Sequence, residues 1–105
     1  YFKKISDIGM VGIGYFTGNI IPMLDDIKDL KLDGLMMEES KKNFALDVGE
    51  VAESLENTCA LFGNLDSVWI LQNGTESDVI KEITRQLKAT KGKRFIMANG
   101  CPISF

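Results

Sequence analysis

Histidine is absent from this chain; cysteine and proline occur twice each and tryptophan once. Without histidine the usual general base and the commonest nitrogen ligand for metals are missing, so no Cys–His pair can form from these residues. Cys59 and Cys101 lie far apart and outside any C-x-x-C pattern. That argues against a disulfide scaffold and for a reducing, cytoplasmic setting. Basic residues are not in excess: Lys and Arg number 12 against 15 Asp and Glu, for a net charge of −3. A nucleic-acid partner is therefore not expected. No apolar run is long enough to span a bilayer, and mean hydropathy is only +0.01. Neither a membrane partner nor a secretory leader is expected, since the chain opens Tyr1-Phe2-Lys3-Lys4 and then turns polar. Asn73-Gly74-Thr75 has the form of a glycosylation sequon, but without a leader it reads as a turn followed by a helix cap.

What is present is ordinary globular composition, 45% hydrophobic and 26% charged over 105 residues, enough for one compact unit at most. The sequence starts without Met and stops just past an apolar strand, so it is expected to be a portion of a longer chain. A pattern repeats along it: a short apolar strand, a polar or glycine-bearing loop, then an amphipathic helix. The segment up to Ile8 reads as the end of a helix, with Gly9 as its left-handed C′ residue. The first strand is expected over Met10–Phe16. Pro22 opens a helix running to about Leu30, with Met23, Leu24, Ile27 and Leu30 as its apolar stripe. A second strand covers Asp33–Met37, and a helix near Asp47 turns Val48, Val51, Ala52 and Leu55 to one side. A third strand covers Cys59–Phe62, followed by a short helical turn through Val68, Trp69 and Leu71. Thr75 and Asp78 form a capping-box pattern. The helix they open is expected to bury Val79, Ile80, Ile83 and Leu87 and to expose Lys81, Glu82 and Arg85. A fourth strand covers Arg94–Ala98.

Strands so apolar and so little alternated suit a parallel sheet covered by helices. Repeats of about 25 to 35 residues match β/α-barrel units. The fold class is therefore α/β, with four consecutive β/α units and parallel strands, equivalent to half of an eight-stranded barrel. A doubly wound open sheet is the structural alternative. Half a barrel would leave apolar residues such as Ile13, Leu35, Leu61 and Ile96 uncovered, so the isolated chain is expected to self-associate.

Candidate site residues follow the strands in phase: Tyr15 and Thr17, then Glu38 and Glu39, then Asn64 and Asp66, then Asn99 and Cys101. All lie at C-terminal strand ends, where loops converge in parallel β/α folds and ligands bind. Glu38 and Glu39 are neighbours, so on extended backbone at most one enters the site; a carboxylate favoured by a helix dipole is the structural alternative. Asp66 is either a site acid or the N-cap of the turn through Trp69. Cys101 is a metal ligand, a nucleophile or a small buried residue, while Cys59 reads as buried. Gly12-Ile13-Gly14 followed by Gly18 fails the dinucleotide fingerprint, because Thr17 stands where its third glycine belongs.

The ordered set of strand-end motifs resembles the C-terminal half of the uroporphyrinogen decarboxylase superfamily, which includes the decarboxylase and corrinoid-dependent methyltransferases. Gly18-Asn19 with Pro22-Met23-Leu24 is similar to the turn after the family's fifth strand, and Asp33-Gly34-Leu35 to its sixth strand. Phe62-Gly63-Asn64-Leu65-Asp66 and Asn73-Gly74-Thr75 resemble its G-N-[LIV]-D and N-G-T motifs. Phe95-Ile96-Met97 with Gly100-Cys101-Pro102 is similar to its eighth strand and final loop. Zinc-dependent methyltransferases of the family carry H-x-C where this chain has Tyr15-Phe16-Thr17, so zinc is not expected. The decarboxylase has Gly-His where this chain has Gly100-Cys101. The Glu38–Lys42 stretch looks most like corrinoid-linked methyltransferases without the zinc motif. The resemblance implies methyl transfer between a corrinoid on a partner protein and a small acceptor such as a folate or thiol, with no tightly bound cofactor. Glu38, Glu39 or Asp66 would hold or protonate the acceptor. Tyr15, Thr17, Asn64, Asn99 and Cys101 would line its site. The alternatives are a porphyrinogen carboxy-lyase of tetrapyrrole biosynthesis and a non-catalytic tetrapyrrole- or corrinoid-binding module.

Overall fold

A computed structural model describes residues 2–103. Four strands, β1 (Ile13–Phe16), β2 (Gly34–Met37), β3 (Ala60–Phe62) and β4 (Phe95–Ile96), alternate with helices α1 (Phe2–Asp7), α2 (Leu24–Asp29), α3 (Val48–Leu55) and α4 (Glu76–Ala89). A 3-10 turn at Ile21–Met23 leads into α2, and a π-helical segment, Ser67–Gln72, follows β3. The sheet runs β1-β2-β3-β4 with every neighbouring pair parallel. Sequential order without reversal is the order of a barrel wall; a doubly wound sheet reverses at a switch point.

Register decides which face each strand residue takes. Gly14, Leu35, Leu61 and Phe95 stand in one row, and Tyr15, Met36, Phe62 and Ile96 in the next. Leu35 and Leu61 are 0% and 2% exposed and belong to the core beneath α2 and α3, with Phe16 and Phe95 packed against it. Ile13, Tyr15 and Ile96, at 46–48% exposed, point the other way. This corrects the expectation that Ile13, Leu35, Leu61 and Ile96 share an uncovered face. Gly34, not Leu35, pairs with Ile13, and a shift of one residue exchanges the faces. Leu35 and Leu61 are covered, whereas Met36 and Phe62 accompany Ile13 and Ile96.

The strands are shorter than their apolar runs. β1 begins at Ile13 because Asp33 intercepts the chain before it: its carboxylate accepts the Gly12 N–H at 2.8 Å, leaving Met10 and Val11 exposed. At β4, Arg94 takes φ +48°, so regular pairing starts after it. The ladder continues past Ile96 through Leu65 N–H to Ala98 O and Gly100 N–H to Leu65 O, each 2.9 Å.

Two helix faces also differ from the expectation. In α2 only Leu24 and Ile27 are buried; Met23 and Leu30 are over 40% exposed. The tight 3-10 turn at Pro22 rotates Met23 outward, and the helix ends before Leu30 can turn in. In α4, Gln86 is fully buried and Val79 and Ile83 half-buried, while Ile80 and Leu87 are 56% and 44% exposed. Glu82 is half-buried rather than outward. The helix is rotated so that Gln86 meets Asn64 (3.4 Å) instead of presenting its most apolar stripe. The capping box forms as expected, Thr75 accepting from Asp78 N–H and Asp78 from Thr75 N–H. Val48, Val51 and Leu55 of α3 are buried, as is Cys59. The reading of Tyr1–Ile8 as a helix end lies partly outside the described residues, since Tyr1 is not among them.

Candidate functional site

The C-terminal strand ends meet around Cys101. Its thiol donates to Glu38 Oε1 at 3.4 Å and accepts from Lys41 Nζ at 3.3 Å. Lys41 Nζ also reaches Glu39 Oε1 at 3.2 Å, and the same oxygen accepts from Ser67 Oγ at 3.1 Å. Glu38 Oε2 accepts the Gly18 N–H at 2.7 Å, tying the loop after β2 to the loop after β1. Tyr15 Oη donates to Gly100 O at 2.9 Å, and Asn99 Nδ2 to Cys101 O at 2.6 Å. Four loops thus converge on one short stretch of chain. Gly100 makes that possible: a Cβ there would overlap the backbone nitrogen and carboxylate of Glu39.

Glu38 and Glu39 lie beyond the last paired residue of β2, where the pleat no longer separates them. Both therefore join the cluster, in different ways. Glu39 is 4% exposed, and its Oε2 has no hydrogen-bond partner among the described residues. Burial works against its charge, but hydrogen bonds from Cys101, its own N–H, Lys41 and Ser67 outweigh that and hold its carboxyl below the usual range. Lys41 is pushed up to about 12; burial opposes the charge, and contacts with Cys101 and Glu39 overcome it. Burial, followed by Glu39, raises the Cys101 thiol against the pull of Lys41, and Glu38 adds to the rise. Tyr15 is raised as well, by burial and then by Cys101 and Glu38. At neutral pH the cluster is a thiol and a phenol beside an ion pair.

The remaining candidate residues are placed differently. Asn64 is buried; its amide donates to Glu38 O (3.0 Å) and Leu46 O (2.8 Å), which fixes the Glu38 peptide. Asp66 caps the π-helical segment by accepting from Val68 N–H and Trp69 N–H at 2.9 and 2.7 Å. Thr17 is exposed and makes no side-chain hydrogen bond to the cluster among the described residues. Lys41, Ser67 and Gln86 were not foreseen as site residues. The Glu39-x-Lys41 spacing gives no signal for Lys41, because the chain has left the pleat of β2 there. Ser67 and Gln86 carried none.

A cleft of about 580 Å3 opens beside the cluster, with Glu39, Lys41, Lys42, Asp66 and Trp69 among its lining residues. A second pocket, of about 330 Å3, lies at the opposite end of the sheet near Asn57, Lys91 and Arg94. In parallel β/α folds that end serves stability, and the titratable cluster is not there.

Among the described residues no three His, Cys, Asp or Glu side chains are grouped to hold a metal ion. The Lys41 ammonium occupies the place between Glu39 and Cys101 that a cation would need. Tyr15, Phe16 and Thr17 are not the donor set zinc selects. The described residues of this chain do not by themselves make a zinc donor set. Among the described residues no helix is long and apolar enough to cross a membrane.

Sequential parallel β/α units with polar groups gathered at the C-terminal strand ends define a segment of a β/α barrel. Residues 1–105 match the model of the uroporphyrinogen decarboxylase (URO-D) family, and the chain belongs to that family. It is similar to the solved structure of a methyltransferase from Methanosarcina mazei, with a TM-score of 0.68 and 26% identity. The likeness covers 96% of this chain and 28% of that one. Comparison with curated proteins gives no match.

Proposed function

We propose that this chain forms part of the mouth of a methyltransferase that moves a methyl group between a corrinoid carried by a partner protein and a small acceptor. One observation carries the reading: the likeness to the Methanosarcina mazei methyltransferase extends over the segment that assembles the Glu38–Lys41–Cys101 cluster. The corrinoid stays on its partner and is a substrate here; when bound it supplies the methyl group. Glu38 is the acceptor-facing acid or base, because Glu39 is buried and Asp66 is committed to its cap. Lys41 and Tyr15 orient the acceptor, and Asn64 and Asn99 act as positioning residues through Glu38 and Cys101. Holding both reactants in one geometry supplies much of the rate in such transfers. A cytoplasmic enzyme without a tightly bound cofactor completes the reading.

The URO-D description of the family supports a second reading, decarboxylation of a porphyrinogen. One experiment separates them. The full-length protein is incubated with methylcobalamin and thiol or folate acceptors, and separately with uroporphyrinogen. Acceptor-dependent loss of the methyl–cobalt absorbance supports transfer. Carbon dioxide release from the porphyrinogen without such loss overturns it. Activity with neither would leave the non-catalytic binding module.

A further inference from the structure

The cleft beside the cluster carries features that the cluster does not use. Trp69, the chain's one tryptophan, is 74% exposed within its lining. It sits on a π-helical segment, a geometry found often at functional sites. Asp66 fixes that segment through the Val68 and Trp69 N–H groups, so the indole is presented from an anchored backbone. Lys41 and Lys42 of the turn at 41–44 line the same cleft, the turn being closed by Lys41 N–H to Phe44 O (2.9 Å) and Phe44 N–H to Lys41 O (3.2 Å). That turn holds Lys42 out into the cleft. Of the four charged lining groups, Glu39 pairs with Lys41, and Asp66 keeps its charge but has its Oδ1 held by two backbone N–H groups. Among the described residues Lys42 alone of these has no charged or hydrogen-bonded partner, and the indole N–H of Trp69 has no acceptor.

We propose that this cleft binds a planar aromatic carboxylate, its ring laid on Trp69 and its carboxylate paired with Lys42. The cleft volume lies within the range of about 300–1,000 Å3 typical of small-ligand sites. An indole face favours a flat π-surface over an aliphatic chain. The unpaired Lys42 ammonium can hold one carboxylate, whereas a second negative charge would meet the carboxylates of Asp66 and Glu39. The proposal goes beyond the methyl-transfer reading and does not depend on it, because it requires only the cleft.

The test is calorimetric titration of the full-length protein with benzoate, cyclohexanecarboxylate and benzamide. Benzoate is expected to bind saturably, with the non-planar and the uncharged analogues at least about fivefold weaker. Lys42→Ala and Trp69→Ala are each expected to weaken benzoate about five- to tenfold, and added salt should reproduce part of the Lys42 effect. Lys42 is exposed, so its variant should keep the native circular dichroism; if Trp69→Ala does not fold, Lys42→Ala decides alone. Absence of saturable benzoate binding overturns the proposal. So does benzamide binding as tightly as benzoate, or a benzoate affinity that Lys42→Ala leaves unchanged.

Discussion

Glu39 keeps its charge in a place that costs charge. Its neighbours hold the carboxyl below the usual value of 4.5, so the folded state favours the ionised form more than the unfolded chain does. A depressed acid contributes stability that is present above its unfolded pKa and lost as pH falls through the folded one. Glu39→Gln should therefore destabilise the protein at pH 7 by about 1–3 kcal/mol, because it removes an acceptor from Lys41 and Ser67. The difference from wild type should shrink as pH drops below about 4.5, within the carboxylate range. Urea titrations at pH 7 and pH 3.5 check this, and an equal difference at both pH values would contradict it. Cys101 responds in the opposite sense. Burial and the carboxylates disfavour its thiolate, so at pH 8 it should react with iodoacetamide more slowly than a free cysteine. Glu38→Gln should speed that reaction, and Lys41→Met should slow it. Cys59, 6% exposed, should stay unmodified in the native state, so mass spectrometry can assign the adduct.

At the scale of elements, α4 shows how a polar contact can set the rotation of a helix. Two adjoining stripes compete along it: Val79, Ile83, Gln86 and Thr90, and Ile80 with Leu87. Hydrophobicity alone favours including Ile80 and Leu87. The structure buries Gln86 and Thr90 instead, because Gln86 donates across the interface to Asn64. Ile83→Ala should cost about 1–2 kcal/mol, less than the 2–5 of a fully buried site, since Ile83 is only half-covered. Ile80→Ala should stay within about 0.5 kcal/mol, as surface changes do. A larger loss at Ile80 than at Ile83 in denaturant titration would place the other stripe inward. The same contrast explains what was legible in the sequence. Strand order, the α3 face and the Thr75–Asp78 box follow from local chemistry, which spacing displays. The rotation of α4, the row shared by Leu35 and Leu61, and the roles of Gln86 and Ser67 depend on partners 22 to 28 residues away. Likewise, the phase of Tyr15, Glu38, Asn64 and Asn99 along the chain marked the strand ends, whereas Lys41 became visible only once Cys101 was beside it.

For the whole molecule, the consequence lies on the sheet face opposite the helices. Ile13, Tyr15 and Ile96 are nearly half exposed there, and Met36 and Phe62 are partly so. Ile8, Met10 and Val11 extend the apolar surface at the β1 side, each at least 60% exposed. Among the described residues β1 and β4 are edge strands with one side not paired to another strand, a template for further pairing. An apolar surface of this kind, contiguous with open strand edges, marks an association site. The 105-residue chain on its own is therefore expected to self-associate, sedimenting as a dimer or larger species and binding a hydrophobic dye. Ile13→Lys and Ile96→Lys should shift it toward monomer with little loss of helical signal, since neither side chain belongs to the buried core. Chain concentration should also raise the unfolding midpoint, as mass action requires when association stabilises the folded state. A monomer at high concentration, with a midpoint independent of concentration and no dye binding, would mean that the sheet face is satisfied within one chain.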